Sequence, residues 1–309
     1  MKIKTLSKKI LALGLACCCF GMQPISAFGD YAHQTLARCA FEKERLRLFR
    51  LGWAPGYASL MDYTNCVVEA STKPDYDETD GGTYSWHFYS PKYDEQNENT
   101  RGAAFWRMKN HFDTCVEQME LGNKERALEY LGRSLHYLQD MCCPVHMWGY
   151  EFNGNNKYVC KKDIGNLICG NTSYHKKVED GWSEMAKCTP MRLDLDGFGE
   201  LNYEECTARD IGEAAYKFSW ELFGGWIEAY HVNYESGSSN FINALIDMVK
   251  KCNVNDKFKS YWEKVFLPAY TASHALVCLF IKKVEAKIDR DRQTWYSPRE
   301  EHKDSCSLQ

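Results

Sequence analysis

The 309-residue sequence lacks several features that would assign it to a familiar class of protein. No run of about 18 apolar residues occurs beyond the N-terminus, which excludes a bundle of transmembrane helices. Basic residues are not in excess, since 38 Lys and Arg oppose 42 Asp and Glu, and this balance argues against binding duplex nucleic acid through its phosphates alone. Neither a glycine-rich phosphate loop nor a Ser/His/Asp arrangement is evident. With 44% apolar and 14% aromatic residues, the chain can still form a core, which excludes an intrinsically disordered protein.

The N-terminus has the layout of a secretory signal peptide. Four lysines within the first nine residues precede an apolar run from Ile10 to Phe20, and the small residue Ala27 follows as a cleavage site. We therefore predict that residues 1–27 are removed and that the protein is secreted, to the periplasm or the extracellular space. Removal takes away four positive charges and no negative ones, so the formal net charge would move from −4 to −8. A buried N-terminal helix is the alternative interpretation.

The cysteine content fits export. Of 15 cysteines, Cys17, Cys18 and Cys19 fall in the predicted leader, which leaves an even number of twelve. Because an exported protein meets an oxidising compartment, we expect most of these twelve cysteines to be paired in disulfides. The pairing itself stays open, although the adjacent Cys142 and Cys143 are expected to reach different partners.

The rest of the chain has the periodicity of helices, with little of the alternation that a sheet needs. In the clearest example, Gly122 and Asn123 separate two amphipathic stretches, with Asn123 as a helix N-cap and Pro144 as the later stop. We predict an all-α fold, a single helical domain over residues 28–292, a charged tail over 293–309, and a long loop over 149–171. The predicted helices cover residues 31–51, 100–121, 124–141, 174–187, 208–229, 241–251 and 260–288.

Two pairs of possible metal ligands have helical spacing. His136 and Asp140 lie four residues apart on one predicted helix, and His175 and Glu179 repeat this spacing on another. His146 follows the proline that ends the first of these helices. Helical bundles build carboxylate–imidazole metal sites from such pairs on facing helices. One pair alone is more often a surface ion pair, whereas two pairs and a third histidine favour a metal site.

Further candidates occur earlier in the chain. Asp75 and His87 flank a loop that is rich in Asp and Gly, and His33 lies shortly after the predicted cleavage site. Nitrogen and oxygen ligands without a thiolate suit Zn²⁺ in hydrolytic sites. A calcium loop over Asp194–Glu205 is a weaker candidate, because Phe198 stands where a ligand oxygen is needed. The remaining histidines have no partner at ligand spacing and are interpreted as ordinary core or surface residues: His111, His231, His274 and His302.

These motifs carry a resemblance to a known family. Residues 126–146, RALEYLGRSLHYLQDMCCPVH, resemble the signature of the bacterial zinc-dependent phospholipase C family, which includes the clostridial alpha-toxins. The segments PDYD at 74–77 and HFYSP at 87–91 are similar to two other elements of that family and occur in the same order. The pair formed by His175 and Glu179 matches its His-x-x-x-Glu element. The resemblance covers scattered parts of residues 28–180.

The resemblance implies a mostly helical domain with three zinc ions. It implies one zinc bound by Asp75, His87, His136 and Asp140, a second by His146, His175 and Glu179, and a third by Phe28, His33 and Asp140. Phe28 would ligate through its α-amine and carbonyl as the mature N-terminus. The family begins with Trp and has a longer spacing to its histidine. The five-residue spacing here is closer to that of the related fungal zinc nucleases for single strands, which share the fold.

The resemblance implies a phospholipase C that cuts phosphatidylcholine-like lipids to diacylglycerol and a phosphorylated headgroup, through attack of a zinc-activated water on the phosphodiester. It makes Asp75 the general base, and it places Tyr76 and Tyr84 against the lipid headgroup, where aromatic faces attract a quaternary ammonium. Packing of the loop is the alternative interpretation of these tyrosines. The expected partner is phospholipid in membranes or micelles, and no protein partner is predicted. A single-strand nuclease and a secreted zinc-binding protein without turnover stay open as alternatives.

Overall fold

The computed structural model describes residues 29–79, 85–89, 103–143, 146, 151–153, 157–159, 206–217, 219 and 256–296. Several predicted features lie outside these residues. They are the signal peptide at 1–27, the helices at 174–187 and 241–251, the calcium loop Asp194–Glu205, and the tail beyond residue 296.

The described residues form seven helices, one 3₁₀ turn and a small hairpin. The elements are α1 (Gly29–Arg50), α2 (Tyr57–Ala70), α3 (Pro74–Asp77), the 3₁₀ turn Ser85–His87, α4 (Ala103–Glu120), α5 (Lys124–Cys142), β1 (Glu151–Asn153), β2 (Lys157–Val159), α6 (208–217) and α7 (Asp256–Tyr296). The antiparallel hairpin places Glu151 opposite Val159. The prediction of an all-α fold is confirmed. None of the described helices is long and apolar enough to cross a membrane.

Three helices follow the sequence pattern closely, namely α1, α4 and α5, and α6 begins at the predicted residue 208. The boundary between α4 and α5 lies at Gly122, whose φ of +79° is a conformation that glycine adopts without steric cost. Asn123 is the N-cap of α5, but its side chain makes no capping hydrogen bond and instead donates to Gln118. The predicted loop at 149–171 is wrong where the hairpin occurs, and α2 is a helix that the pattern did not predict. Helix α7 also extends beyond the predicted 260–288 at both ends.

Helix α5 lies at the centre of the helical packing. Helices α2, α4 and α7 all contact it, and most of its side chains from Leu131 onward are buried. Gly132 permits the close approach of α2, because a Cβ atom at this position would lie 2.6 Å from the Cβ atom of Ala70 and would also meet the Val67 carbonyl. This contact holds the second half of α5, which carries His136 and Asp140, against the end of α2.

The disulfide prediction is wrong for six of the described cysteines. Free thiols are found at Cys39, Cys66, Cys115, Cys142, Cys206 and Cys278. Burial accounts for Cys115 and Cys142, which have no exposed surface and pack in the core as small apolar side chains. Burial also raises the pKa of the Cys142 thiol to about 12, so this thiol is a weak nucleophile for disulfide exchange.

Candidate metal centre

Six of the predicted ligands converge in the interior from five separate segments. His33 comes from α1, Asp75 from α3, and His87 from the 3₁₀ turn, while α5 contributes His136 and Asp140. All five side chains have 0% exposed surface, and so does His146, which follows α5. Burial of this many ionisable groups is costly unless they are paired or bind a cation.

The helical spacing of α5 forms the base of the site. His136 and Asp140, four residues apart, place Nε2 and Oδ2 3.2 Å from each other. His87 Nδ1 lies 2.9 Å from that carboxylate oxygen and 3.0 Å from that ring nitrogen. Ligands that share one transition-metal ion at bonds of about 2.0–2.1 Å and angles of about 90–110° lie about 2.9–3.4 Å apart. The three atoms therefore have the separations of ligands around one ion.

Asp75 closes this triangle on a further side. Its Oδ1 atom lies 3.7 Å from His87 Nδ1 and 3.6 Å from His136 Nε2. The first turn of α3 places this carboxylate, since α3 begins at Pro74, whose fixed φ suits the first helical position. Four side chains, two acidic and two imidazole, thus surround one point.

His33 approaches the other carboxylate oxygen of Asp140. Its Nε2 atom is 3.5 Å from Asp140 Oδ1, whereas the second carboxylate oxygen, Oδ2, faces His87 and His136. The rings of His33 and His136 stack with their centroids 4.1 Å apart. The two carboxylate oxygens of Asp140 therefore face different imidazole nitrogens. Two groups of residues in this cluster could each hold a metal ion, and both include His136.

The outer ring nitrogens of His136 and His33 contact oxygen acceptors. The Nδ1 atom of His136 lies 2.8 Å from the Ser71 carbonyl oxygen, and that of His33 lies 2.6 Å from Gln139 Oε1. An acceptor oxygen at Nδ1 assigns the proton to this nitrogen and leaves the Nε2 lone pair directed at the carboxylates. Histidines that ligate metals almost always donate their other N–H in this way.

His146 and His87 follow the same pattern. The Nδ1 atom of His146 lies 2.7 Å from the His87 carbonyl oxygen, and the His146 ring stacks on Phe88 with centroids 4.4 Å apart. His87 has the opposite orientation, since its Nε2 atom lies 3.4 Å from the Glu78 carbonyl and its Nδ1 atom faces the carboxylates. Each of the four histidines therefore has one ring nitrogen on an acceptor oxygen.

The electrostatics of the cluster keep Asp140 ionised. Burial alone would raise the pKa of the Asp140 carboxyl, but the charges of His136 and His146 and the hydrogen bonds of His136 and His87 outweigh it and hold this pKa well below its usual range. Burial, followed by the charge of His136, lowers the pKa of His33 well below its usual value. His33 is therefore a neutral imidazole at neutral pH, which is the form that binds a metal.

Glu78 supports the site from behind. Its carboxylate accepts hydrogen bonds from His111 at 3.0 Å, Tyr137 at 2.9 Å and Arg133 at 2.7 Å. Burial opposes ionisation of Glu78, but these partners outweigh it and lower the pKa of its carboxyl to about 2. The carbonyl oxygen of Glu78 also contacts His87 Nε2. The hydrogen bonds of the Glu78 carboxylate therefore hold in place the backbone segment that orients this histidine.

The remaining predicted site residues divide into two groups. Tyr76 is described: its ring is 57% exposed on α3 beside Asp75, and its hydroxyl donates to the Asp30 carboxylate. The others lie outside the described residues and are Phe28, Tyr84, His175 and Glu179.

Several residues that support the candidate ligands were not predicted from the sequence. Gln139 and Glu78 are buried or half-buried polar residues next to predicted ligands, and their positions beside Asp140 and in the segment after Asp75 were the available signal. His111 is a half-buried histidine that hydrogen-bonds Glu78, as an ordinary histidine can. The interpretation of His274 as a residue without a partner at ligand spacing is wrong, because His274 contacts Cys278 as well as Glu44. The four-residue spacing from His274 to Cys278 was visible in the sequence.

Comparisons with known proteins add no assignment: no model of a known protein family matches the chain, and no curated protein matches it.

Proposed function

We propose that this chain is a secreted zinc-dependent phospholipase C, which hydrolyses glycerophospholipids such as phosphatidylcholine to diacylglycerol and a phosphorylated headgroup. The observation that carries the proposal is the buried cluster in which four histidines each turn one ring nitrogen to an acceptor oxygen, with two carboxylates among them. This pattern is typical of metal ligands with their supporting hydrogen bonds.

The donor set supports zinc. Imidazole and carboxylate ligands without sulfur, at near-tetrahedral separations, are typical of catalytic zinc sites. We propose three ions. Asp75, His87, His136 and Asp140 hold the first. The second is assigned to His146 with His175 and Glu179, and the third to His33 and Asp140 with the N-terminal Phe28 of the processed chain. The bridging position of Asp140, with one oxygen toward His33 and one toward His87, supports adjacent ions.

The chemistry follows from the charge and burial of the site. When bound, zinc ions neutralise the phosphodiester and lower the pKa of a bound water toward neutrality. Asp75 is the proposed general base, since its carboxylate sits among the ligands and can accept the proton of the attacking water. Asp140 would hold two adjacent ions at a fixed separation, because each of its carboxylate oxygens faces one of them. The fully buried side chains exclude bulk water from the reaction.

An exposed aromatic side chain supports a lipid substrate. Tyr76 belongs to the same short helix as Asp75, so a substrate phosphate at the metals would bring its headgroup near this ring. An aromatic face attracts the quaternary ammonium of choline. Tyr84 is proposed for the same role on the strength of its position before His87. The acidic ligand Glu179, rather than Asp, also favours the phospholipase.

A single-strand nuclease is the second candidate. The observation that favours it is the five-residue spacing from Phe28 to His33, which resembles the nucleases of this fold more than the phospholipases. An exposed tyrosine such as Tyr76 would then stack on a nucleobase, because base stacking on aromatic side chains is tolerant of sequence.

The two candidates are separated by assaying the secreted, processed protein on phosphatidylcholine micelles and on single-stranded DNA, with and without a chelator. We expect lipid turnover that the chelator and Asp140→Asn both abolish. Asp113→Asn is the matched control, because this carboxylate is exposed on α4 and pairs with Lys109. Turnover of DNA alone would assign the nuclease. A protein that binds zinc yet turns over neither substrate would be a zinc-binding protein without catalysis and would overturn the proposal.

A further inference from the structure

A second group of ligand-type side chains lies between the first and last described helices. Glu44 belongs to α1, whereas His274 and Cys278 lie four residues apart on α7 and so project from one face of that helix. His274 Nε2 is 2.9 Å from Glu44 Oε1 and 3.6 Å from Cys278 Sγ. One ligand atom from each residue lies within 4.8 Å of the other two.

The separation of Cys278 Sγ and His274 Nε2 matches that of two zinc ligands, and the 2.9 Å between His274 Nε2 and Glu44 Oε1, which is also a hydrogen-bond distance, lies at the short end of the range for ligands of one ion. Bonds of about 2.3 Å to sulfur and about 2.0–2.1 Å to nitrogen, at a tetrahedral angle, place the two ligand atoms about 3.6 Å apart. Three protein ligands leave the fourth position for water. The side chains of Glu44 and His274 are 16% and 12% exposed, so an ion can reach the site from solvent.

The neighbouring charges also permit a cation. Two basic residues of α1 lie near the site: Arg47, at 3.9 Å from Glu44, and Lys43, whose charge acts on the Cys278 thiol. The guanidinium of Arg47 donates two hydrogen bonds, of 2.7 and 2.6 Å, to the carboxylate of Glu285, which offsets the positive charge. A dication between Glu44 and a Cys278 thiolate would leave the three-residue site near neutrality.

A cysteine, a histidine and a glutamate in contact could also form the nucleophile of an enzyme. The pKa of the Cys278 thiol argues against this role. Burial, together with the charge of Glu44, raises the pKa of the Cys278 thiol to about 12. Reactive cysteines have a lowered pKa, whereas a thiol that coordinates a metal is deprotonated by the ion itself.

We propose that Glu44, His274 and Cys278 form a metal site for Zn²⁺ that links α1 to α7. This site is separate from the candidate metal centre. The geometry of the three ligand atoms carries this assignment. The site does not depend on the proposed phospholipase activity, since none of its residues belongs to the histidine–carboxylate cluster.

Titration of the metal-free processed protein with Co²⁺ tests the site, because cobalt bound to a thiolate gives a charge-transfer absorption that nitrogen and oxygen ligands do not give. The proposed ligands of the candidate metal centre include no sulfur, so this band reports on a thiolate ligand, and the Cys278→Ser variant shows whether that thiolate is Cys278. We expect the band in the wild type and in the control Cys66→Ser, which changes a half-buried cysteine of α2, and its loss in Cys278→Ser. Zn²⁺ should displace the band.

A second variant keeps the test decisive if Cys278→Ser does not fold. Glu44→Gln retains shape and removes a charged ligand, so we expect it to weaken cobalt binding at the band by at least roughly tenfold. A wild-type protein without the band, or a band that persists unchanged in Cys278→Ser or Glu44→Gln, would overturn the proposal.

Discussion

Gln139 shows how one side chain outside the ligand set can control the candidate metal centre. Its Oε1 atom accepts the Nδ1–H of His33 at 2.6 Å, and its Nε2 atom donates to Ser273 Oγ on α7 at 3.1 Å. The residue therefore fixes the orientation of a ligand from α1 and connects it to α7.

We expect Gln139→Ala to destabilise the protein and to weaken metal binding. The change leaves a buried imidazole donor without its acceptor, which costs about 1–3 kcal/mol. Loss of such a supporting hydrogen bond typically reduces metal affinity by about 10–100-fold. Denaturant unfolding and a zinc titration measure the two effects. Gln118→Ala, which removes a surface hydrogen bond to Asn123, is the control. Equal effects of the two substitutions would contradict the role of Gln139.

The lowered pKa of the Glu78 carboxyl predicts that the stability of the protein depends on pH. This carboxyl has a folded pKa of about 2, against a usual value of 4.5. Because this pKa is lower in the folded than in the unfolded protein, ionised Glu78 adds to the free energy of unfolding. This contribution is fully present above about pH 4.5 and is lost as the pH falls toward 2. The difference corresponds to roughly 3 kcal/mol.

We therefore expect Glu78→Gln to flatten the acid side of the stability curve. Thermal unfolding is measured from neutral pH downward with a chelator present throughout, so that release of metal by acid does not contribute. Glu117→Gln, on the exposed face of α4, should keep the steep acid limb of the wild type. A Glu78→Gln protein that loses stability in acid as steeply as the wild type would refute this account.

At the scale of the helices, the contact between α2 and α5 sets the position of the ligands. The end of α2 provides the Ser71 carbonyl that accepts a hydrogen bond from His136, and Gly132 leaves the space in which α2 packs against α5. Any side chain at Gly132 would separate the two helices and would draw His136 away from its acceptor.

We expect Gly132→Ala to reduce the free energy of unfolding by about 1–3 kcal/mol, as overpacking in a core does. Metal affinity should fall as well, because the displacement reaches the ligands on α5. Gly56→Ala is the matched control, since a Cβ atom there meets nothing within 4 Å. Denaturant unfolding measures the free energy of unfolding of both variants. A Gly132→Ala protein as stable as Gly56→Ala would show that the close approach of α2 and α5 does not contribute to stability.

The helices also show what the sequence can predict. Helices α4 and α5 were predictable because apolar residues recur at helical spacing and Gly122 separates the two runs. Helix α2 was missed although Leu60, Val67 and Val68 have helical spacing, because the polar Thr64 interrupts the pattern. Thr64 is buried and bonds its own helix through the Leu60 carbonyl, which removes the cost of its hydroxyl.

The candidate site was predictable only in part for a similar reason. The four-residue spacing placed His136 and Asp140 on one helix face without any structure. The approach of His33 from α1 depends on tertiary packing, and the Ser71 carbonyl is a backbone group that no side-chain pattern encodes. Sequence motifs can therefore identify candidate ligands, whereas the acceptors that would support them depend on the packing of the helices.

At the scale of the molecule, the fold brings ionisable side chains together in the core, where charged groups are costly to bury. Two carboxylates and four imidazoles have no exposed surface, and they come from segments between residues 33 and 146. Asp140 stays ionised there, because the charges of His136 and His146 outweigh the cost of its burial. A bound cation would take the place of this positive charge beside the carboxylates and link α1, α3 and α5, and folding and metal binding should therefore be coupled.

This coupling predicts that removal of metal lowers the melting temperature. An ion present at about 1,000 times its dissociation constant stabilises the folded state by about 4 kcal/mol. For a domain of this size, each kcal/mol shifts the melting temperature by roughly 2–4 °C, so a chelator should lower it by about 8–16 °C. The shift should shrink in His136→Ala, because this residue belongs to both groups of ligands in the cluster. A wild-type protein that melts at the same temperature after its metal is removed would mean that the buried cluster folds without a cation.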